Sequence, residues 1–427
     1  SWPSLDLNAK AFTLDSSVTS MSFNSALSIG SGATFNSGSS ELSFSDNLSI
    51  ADGGKLVSGT GGISLMEGLT LNGELVQGSG ILNLIGGGTV GTTGKLDMSS
   101  SELKLGSALG ITGTLVANSA SSWSGWQGTL DLTAGTLESS GGSINLNDFS
   151  TGTNTTFNLS GDTEITSNSE ITFGTLELAG NKLTLSEDSA GLTLPNALTM
   201  TTAGSAIETK AANLTLSSAL QLDAGAISST GGTLAFAGGV SLGEAGTLDV
   251  TGSTLSVSQT LELNAGTFSS DNNSVLRLQS ATTLSSSNPV SFGSLNFEGQ
   301  VLTLGSATTQ LNLTDATTAL NLSGISLETG AGSLTLAGAL SMSNLGKLNS
   351  SGGTISLNSG GSLAGGSILS LPDTTLVLQS PLAISTSTLK TKNTTITTNS
   401  NALTLSGSIL EMEGVINLSE IVLDNTS

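Results

Sequence analysis

Residues 220–236 read LQLDAGAISSTGGTLAF, and their spacing decides the fold. Leu220 and Leu222 flank one polar residue. Side chains alternate across a strand, so both leucines face one side and the residue between them faces the other. A Gly then precedes one apolar residue, a corner of small residues ends in Gly-Gly, and a second couplet follows at Leu234 and Phe236. The same order recurs in LSIADGGKLVSGTGGISL (48–65), LDLTAGTLESSGGSINL (130–146) and LSMSNLGKLNSSGGTISL (340–357). Working outward, such couplets return about every seven residues from Leu5–Leu7 to Ile421–Leu423, and three of them fill roughly 20 residues, a period that marks a solenoid. A helix needs apolar spacings of three and four sustained over ten or more residues, and no stretch has them.

The pattern therefore predicts an all-β chain, a right-handed parallel β-helix with about 20–21 residues and three short strands per coil. It runs through every segment without a linker, so residues 1–427 are expected to form a single continuous β-solenoid. About 21 coils at the ~4.8 Å spacing of paired strands would make a rod on the order of 100 Å long. Leu214, Leu216, Leu234, Phe236, Leu255, Val257, Leu276 and Leu278 recur at the coil period. They are expected to stack as one buried structural ladder. A second motif returns at longer range, as LDLNAKAFTL (5–14), LELAGNKLTL (176–185) and LNFEGQVLTL (295–304). Its spacing of near six coils points to growth by duplication of whole blocks.

The 56 glycines, among many Ser and Thr, would also suit a disordered chain, but 36% of residues are hydrophobic and fall in register, which disorder does not produce. His, Cys and Tyr are all absent. Ser-His-Asp and Cys-His nucleophiles, disulfides, thiolate or imidazole metal sites and Tyr acids cannot be built. Paired carboxylates remain, and Glu187 with Asp188, Glu411 with Glu413, and Glu164 with Glu170 are the candidate pairs for glycoside cleavage. Neighbours on a strand point apart, so Glu187 and Asp188 converge only in a turn. No Asp-Asp pair or basic cluster suited to an acidic sugar accompanies them. The chain is read as a non-enzyme without cofactors.

Ten basic residues against 32 acidic ones give −22, which disfavours nucleic acid and anionic membranes. No apolar run is long enough for a membrane-spanning helix. The single, scattered acids keep rods soluble and apart, or hold divalent cations between neighbouring rods. The Gly-Gly pairs at 53–54, 61–62, 141–142, 231–232, 352–353 and 360–361 are read as corners supplying positive φ; GGGTVG (86–91) lacks the Asp of a calcium roll. TTITT (394–398) and TST (386–388) raise ice binding by Thr ranks. Trp123 and Trp126 are read as a local insertion covering the core, or as a stacking surface for sugar. Asn47, Asn154, Asn213 and Asn321 begin glycosylation sequons.

The coils LDLTAGTLESSGGSINL and LQLDAGAISSTGGTLAF resemble the β-helical passenger repeats of autotransporters and of filamentous-haemagglutinin-like surface adhesins. The resemblance spans the chain at the level of the repeat class. It implies a secreted, extracellular structural rod at the cell surface, an adhesin shaft or a fibre subunit. A carbohydrate-binding or carbohydrate-cleaving β-helix is the alternative, and ice binding a second. The repeat begins at once with Leu5, Leu7, Phe12 and Leu14 and runs to Ile416, Leu418, Ile421 and Leu423. Open terminal coils need cover, so these residues are expected to meet end to end, joining the chain to its own copies or to further coils of a longer rod.

Overall fold

A computed structural model describes residues 5–7, 9–118, 120–123, 128–147, 149–305, 309–415, 417–418 and 422–423, with the backbone alone at 5–6, 417–418 and 422–423. Among the described residues every regular element is a strand, and every strand pair is parallel, as in Leu27–Ile29 against Leu48–Ile50 and Thr254–Val257 against Val275–Leu278. The fold is a β-solenoid of about 19 turns. The chain divides into two compact units, Ser1–Asn196 with Gly204–Ala212, and Ala197–Ala203 with Asn213–Ser427.

In the first unit three ladders climb together from the start, and a fourth begins at Gly142–Asn145 and carries Thr163–Thr166, Lys182–Leu185 and Ala206–Glu208. One carries Leu5–Leu7, Leu27–Ile29, Leu48–Ile50 and Leu69–Leu71 on to Phe149–Ser150. A second starts at Ala11–Thr13 and a third runs from Ser20–Phe23 to Ser122–Trp123. Residues of like position stack, so Leu27, Leu48 and Leu69 are register partners and all are buried. The rung length varies. Lys55 pairs with Glu74, only 19 residues on, whereas Lys182 pairs with Ala206, 24 residues on. Corners, which face solvent, absorb the difference while the strands keep their register.

The second unit builds one ladder from Asn213–Leu216, Thr233–Phe236, Thr254–Val257 and Val275–Leu278 to Ser294–Asn296. Leu214, Leu234, Leu255 and Leu276 are successive register partners, as are Leu216, Phe236, Val257 and Leu278. All eight are buried. Removing each from water stabilises the stack by about 1.5 to 3 kcal/mol before chain entropy is counted. A second ladder passes from Leu220–Ser228 to Ile409–Glu413, a third from Val290–Phe292 to Asn417–Leu418, and a fourth from Leu320–Ser323 to Val422–Leu423.

Corners break the strand ladders, and their backbone groups need other partners. Two devices supply them. Hydroxyls turned inward form short columns: Ser253 Oγ donates to Ser229 Oγ at 3.0 Å, Ser274 Oγ donates to the Val250 carbonyl at 2.9 Å, and Ser139 and Thr163 share a 2.6 Å bond. Facing outward, an Asp at the end of a strand accepts the N–H two residues on, as in Asp97 with Ser99 (3.1 Å), Asp131 with Thr133 (3.0 Å) and Asp249 with Thr251 (3.0 Å). Part of the acidic excess thus has a local task at the corners. The Gly-Gly corners also differ from the expectation at two pairs, 61–62 and 231–232, where neither glycine has a positive φ. Gly53 has φ +72, but Gly61 has no positive φ; a Cβ there would lie 2.1 Å from the Ser40 carbonyl oxygen. That glycine is required by the closeness of the rung beneath it.

Candidate functional site

The paired-carboxylate candidates are dispersed. Glu187 and Asp188 sit exposed in a turn. Glu164 is paired with Lys210 at 3.1 Å, while Glu170 accepts the Thr193 hydroxyl. Glu411 and Glu413 share an outward face, each bound to a lysine of the preceding rung: Lys390 at 2.9 Å and Lys392 at 2.8 Å. Lys55 and Glu74 repeat this at 2.7 Å, with Lys95 next in register. Six of the seven ion pairs among the described residues join different rungs, Lys104 with Glu102 being the exception. Lys392 is held above the ordinary lysine range by its hydrogen bond to Glu413, and Lys210 likewise by Glu164.

Trp123 is half-buried, continues the rung above buried Leu103 and meets Phe149 edge-on at 5.4 Å. Trp126 lies outside the described residues. Of TTITT, Thr395 and Thr397 face outward while Thr394 and Thr398 are buried. In TST, Ser387 is buried and Thr386 occupies a left-handed corner. Neither stretch is a continuous outward rank of threonines. At the N-terminal end Leu7 is buried, and Phe12 and Leu14 are half-buried, with the Phe12 ring 5.3 Å from that of Phe35. Ile416 and Ile421 lie outside the described residues, as do the side chains of Leu5, Leu418 and Leu423. No cluster of three or more acidic residues fit for a metal occurs among the described residues.

The structure adds a feature that none of those candidates touches. The stretch VSFGSLNFEGQVLTL (290–304) repeats ITFGTLELAGNKLTL (171–185), and at both places one ladder ends while another begins. In Ile171–Glu177 the last three residues pair back to Thr156–Asn158, and the first two pair forward to Leu192–Thr193. In the second unit Ser294–Asn296 pairs back to Val275–Arg277, whereas Val290–Phe292 pairs forward to 311–313. The pivot is a glycine. A Cβ on Gly174 would lie 1.8 Å from the Thr153 carbonyl oxygen, and one on Gly293 would lie 1.9 Å from that of Asn272. A left-handed pair follows each, Ala179 and Gly180 in one copy and Glu298 and Gly299 in the other. The available signal was spacing: two couplets separated only by Gly-Thr or Gly-Ser leave no room for a corner.

Beyond the pivot in the second unit opens a groove of about 530 Å³. One wall is Ser294–Asn296 with Phe297 and Glu298; the other is Thr318, Ala319, Asn321, Ser323 and Ile325. Arg277, the sole arginine of the chain, meets Glu298 at 3.0 Å, and Asn296 Nδ2 donates to the same carboxylate oxygen at 2.9 Å. The second wall is shaped by Asp315, whose carboxylate accepts the Thr317 hydroxyl at 2.6 Å, the Thr318 hydroxyl and the Thr317 N–H at 2.8 Å. These bonds favour the ionised form and lower its pKa to about 2. Among the described residues Glu298 is the one carboxylate in the lining of this groove, so the groove offers polar and backbone recognition around a neutralised charge.

No family model and no curated protein matches the chain. Among solved structures, the TibC-catalyzed hyper-glycosylated TibA55-350 fragment aligns with 12% identity over 99% of this chain and 100% of that one, at a TM-score of 0.11. Likeness at that level carries no inference about fold or function.

Proposed function

We propose that the protein is a non-catalytic structural element of the cell surface, an adhesin shaft or a self-assembling extracellular fibre subunit that stacks end to end with its own copies. The observation that carries this reading is where the charged residues act. Seven of the ten basic side chains are held by carboxylates, and six of those pairs bind one rung to another. Aligned cores, corner hydroxyls and rung-to-rung ion pairs all resist separation along the stack. A solenoid of this kind yields repeat by repeat, because each repeat touches only its neighbours.

The test is extension of the tethered chain by force spectroscopy, combined with protease shaving of intact source cells. A structural element should yield in serial steps, each releasing about one 20-residue coil, roughly 70 Å of contour, and shaving should release it from the cell surface. Collapse in one step at low force, or retention of the protein inside shaved cells, would refute the reading. A carbohydrate-binding or carbohydrate-cleaving role is the second reading, favoured by the amide and carboxylate groups of Asn296, Glu298 and Asn321 around the groove. Release of reducing ends from a polysaccharide panel would favour it over the first.

A further inference from the structure

We propose that the groove at the sheet switch in the second unit takes an extended, uncharged or basic peptide segment of a partner protein, added as a strand. Two strand edges border this groove. Among the described residues, Ser294–Asn296 closes its ladder, pairing only with Val275–Leu278, and Leu320–Ser323 opens another, pairing only with Leu340–Ser343. Between the ends of these ladders each strand is paired on both sides. An open edge presents a row of backbone donors and acceptors spaced for another backbone, the basis of recognition by strand addition. A sugar would be held by side chains and would not match that row.

A second observation points to the same place. Leu345 is 67% exposed and adopts φ +65, a left-handed conformation that L residues other than Asn and Asp rarely hold. Exposed strain at an apolar residue asks for a functional reason. Its neighbour Asn344 is bound to the groove residue Ser323 at 2.8 Å, which sets Leu345 one rung beyond the groove wall. Ile325 gives the lining an apolar side chain, suited to anchor one β-branched or aromatic residue of the incoming strand. Charge selects the partner: Glu298 is matched by Arg277, the rest of the lining is neutral, and the chain carries −22. An acidic segment would be repelled.

The experiment selects from a phage-displayed library of random dodecapeptides on the full chain. Synthetic copies of the enriched peptides are then mapped by hydrogen–deuterium exchange. The expected result is enrichment of extended, β-branched, uncharged or lysine-containing peptides that slow amide exchange in 294–296 and 320–323 at least tenfold. Leu345→Asn, which keeps a residue at ease in the left-handed region, should weaken binding five- to tenfold. Ala319→Trp, which narrows the groove from an exposed position, should abolish it. No enrichment, protection confined to other strands, or wild-type binding by both variants would overturn the proposal. So would a glycan array ligand that protects these amides while peptides do not.

Discussion

Replacing Gly293 with alanine is the sharpest probe of the sheet switch. Its φ is not left-handed, so backbone strain is no obstacle. The obstacle is the rung beneath, because the new methyl carbon would sit 1.9 Å from the Asn272 carbonyl oxygen. A normal contact needs more than 3 Å, so the rungs must part by roughly 1 Å, a large fraction of the ~4.8 Å spacing. The N–H of Gly293 donates to the Ser274 carbonyl at 2.8 Å and that of Ser294 donates to it at 3.4 Å; neither survives such a displacement. Two backbone hydrogen bonds at about 1 kcal/mol each, with some loss of packing around buried Phe292, give a cost of about 3 kcal/mol. Gly110→Ala is the matched control. That residue also lacks a positive φ, lies in a strand, and has nothing within 4 Å of its added Cβ. There alanine should be neutral or stabilise by about 0.5 to 1 kcal/mol. Repeat arrays need not unfold in one step, so the assay is local: exchange of amides 290–296 for the first variant and 109–111 for the second. Equal protection in both variants and the wild type would refute the reasoning that contact distance, not backbone conformation, demands glycine at the pivot.

Leu255→Ala should cost about 3 to 5 kcal/mol, since Leu255 is buried between Leu234 and Leu276. Its exchange signature should spread to Thr233–Phe236 and Val275–Leu278 and leave Thr354–Leu357 unchanged. Asp315 has its pKa lowered from 3.8 to about 2. Its contribution is therefore present above pH 3.8 and lost as pH falls toward 2. Exchange at Thr317 should accelerate over that window, and Asp315→Asn should flatten the response. Lys392, raised above 10.5 by Glu413, works in the opposite sense, its contribution being present below pH 10.5 and fading as pH rises through the raised value; Lys392→Met should remove that alkaline component from a pH-resolved melt. A chelator should leave the circular dichroism of the isolated chain unchanged; unfolding on its addition would mean a structural metal.

Most of the fold was legible because a period of two is hard to imitate: Leu214, Leu216, Leu234 and Phe236 can share one face only as strand residues, and their recurrence makes the strands parallel. What was not legible lies where the chain leaves that period. Ser253 and Ser274 are ordinary corner residues by type, and only three-dimensional stacking shows their hydroxyls turned inward. Asp131 and Asp249 read as solvating charges, though each lies two residues before a Thr whose N–H it accepts. The groove was hidden for another reason. LNFEGQVLTL announced a duplication, but its first couplet follows Phe292 after only Gly293 and Ser294, and the consequence of that crowding depends on the distance to Asn272, which no linear pattern records.

The two pivots bear on how such a gene changes length. The stretches 171–185 and 290–304 start 119 residues apart (290 − 171) and present the same turn of backbone at the same point of the coil. Misaligned recombination between them would delete or add one whole block while joining a strand to the partner it already expects. Every junction would be in register from the moment it formed. Alleles of this protein should therefore differ in steps of that size far more often than by single coils, and each step should carry its own copy of the phenylalanine-glycine pivot.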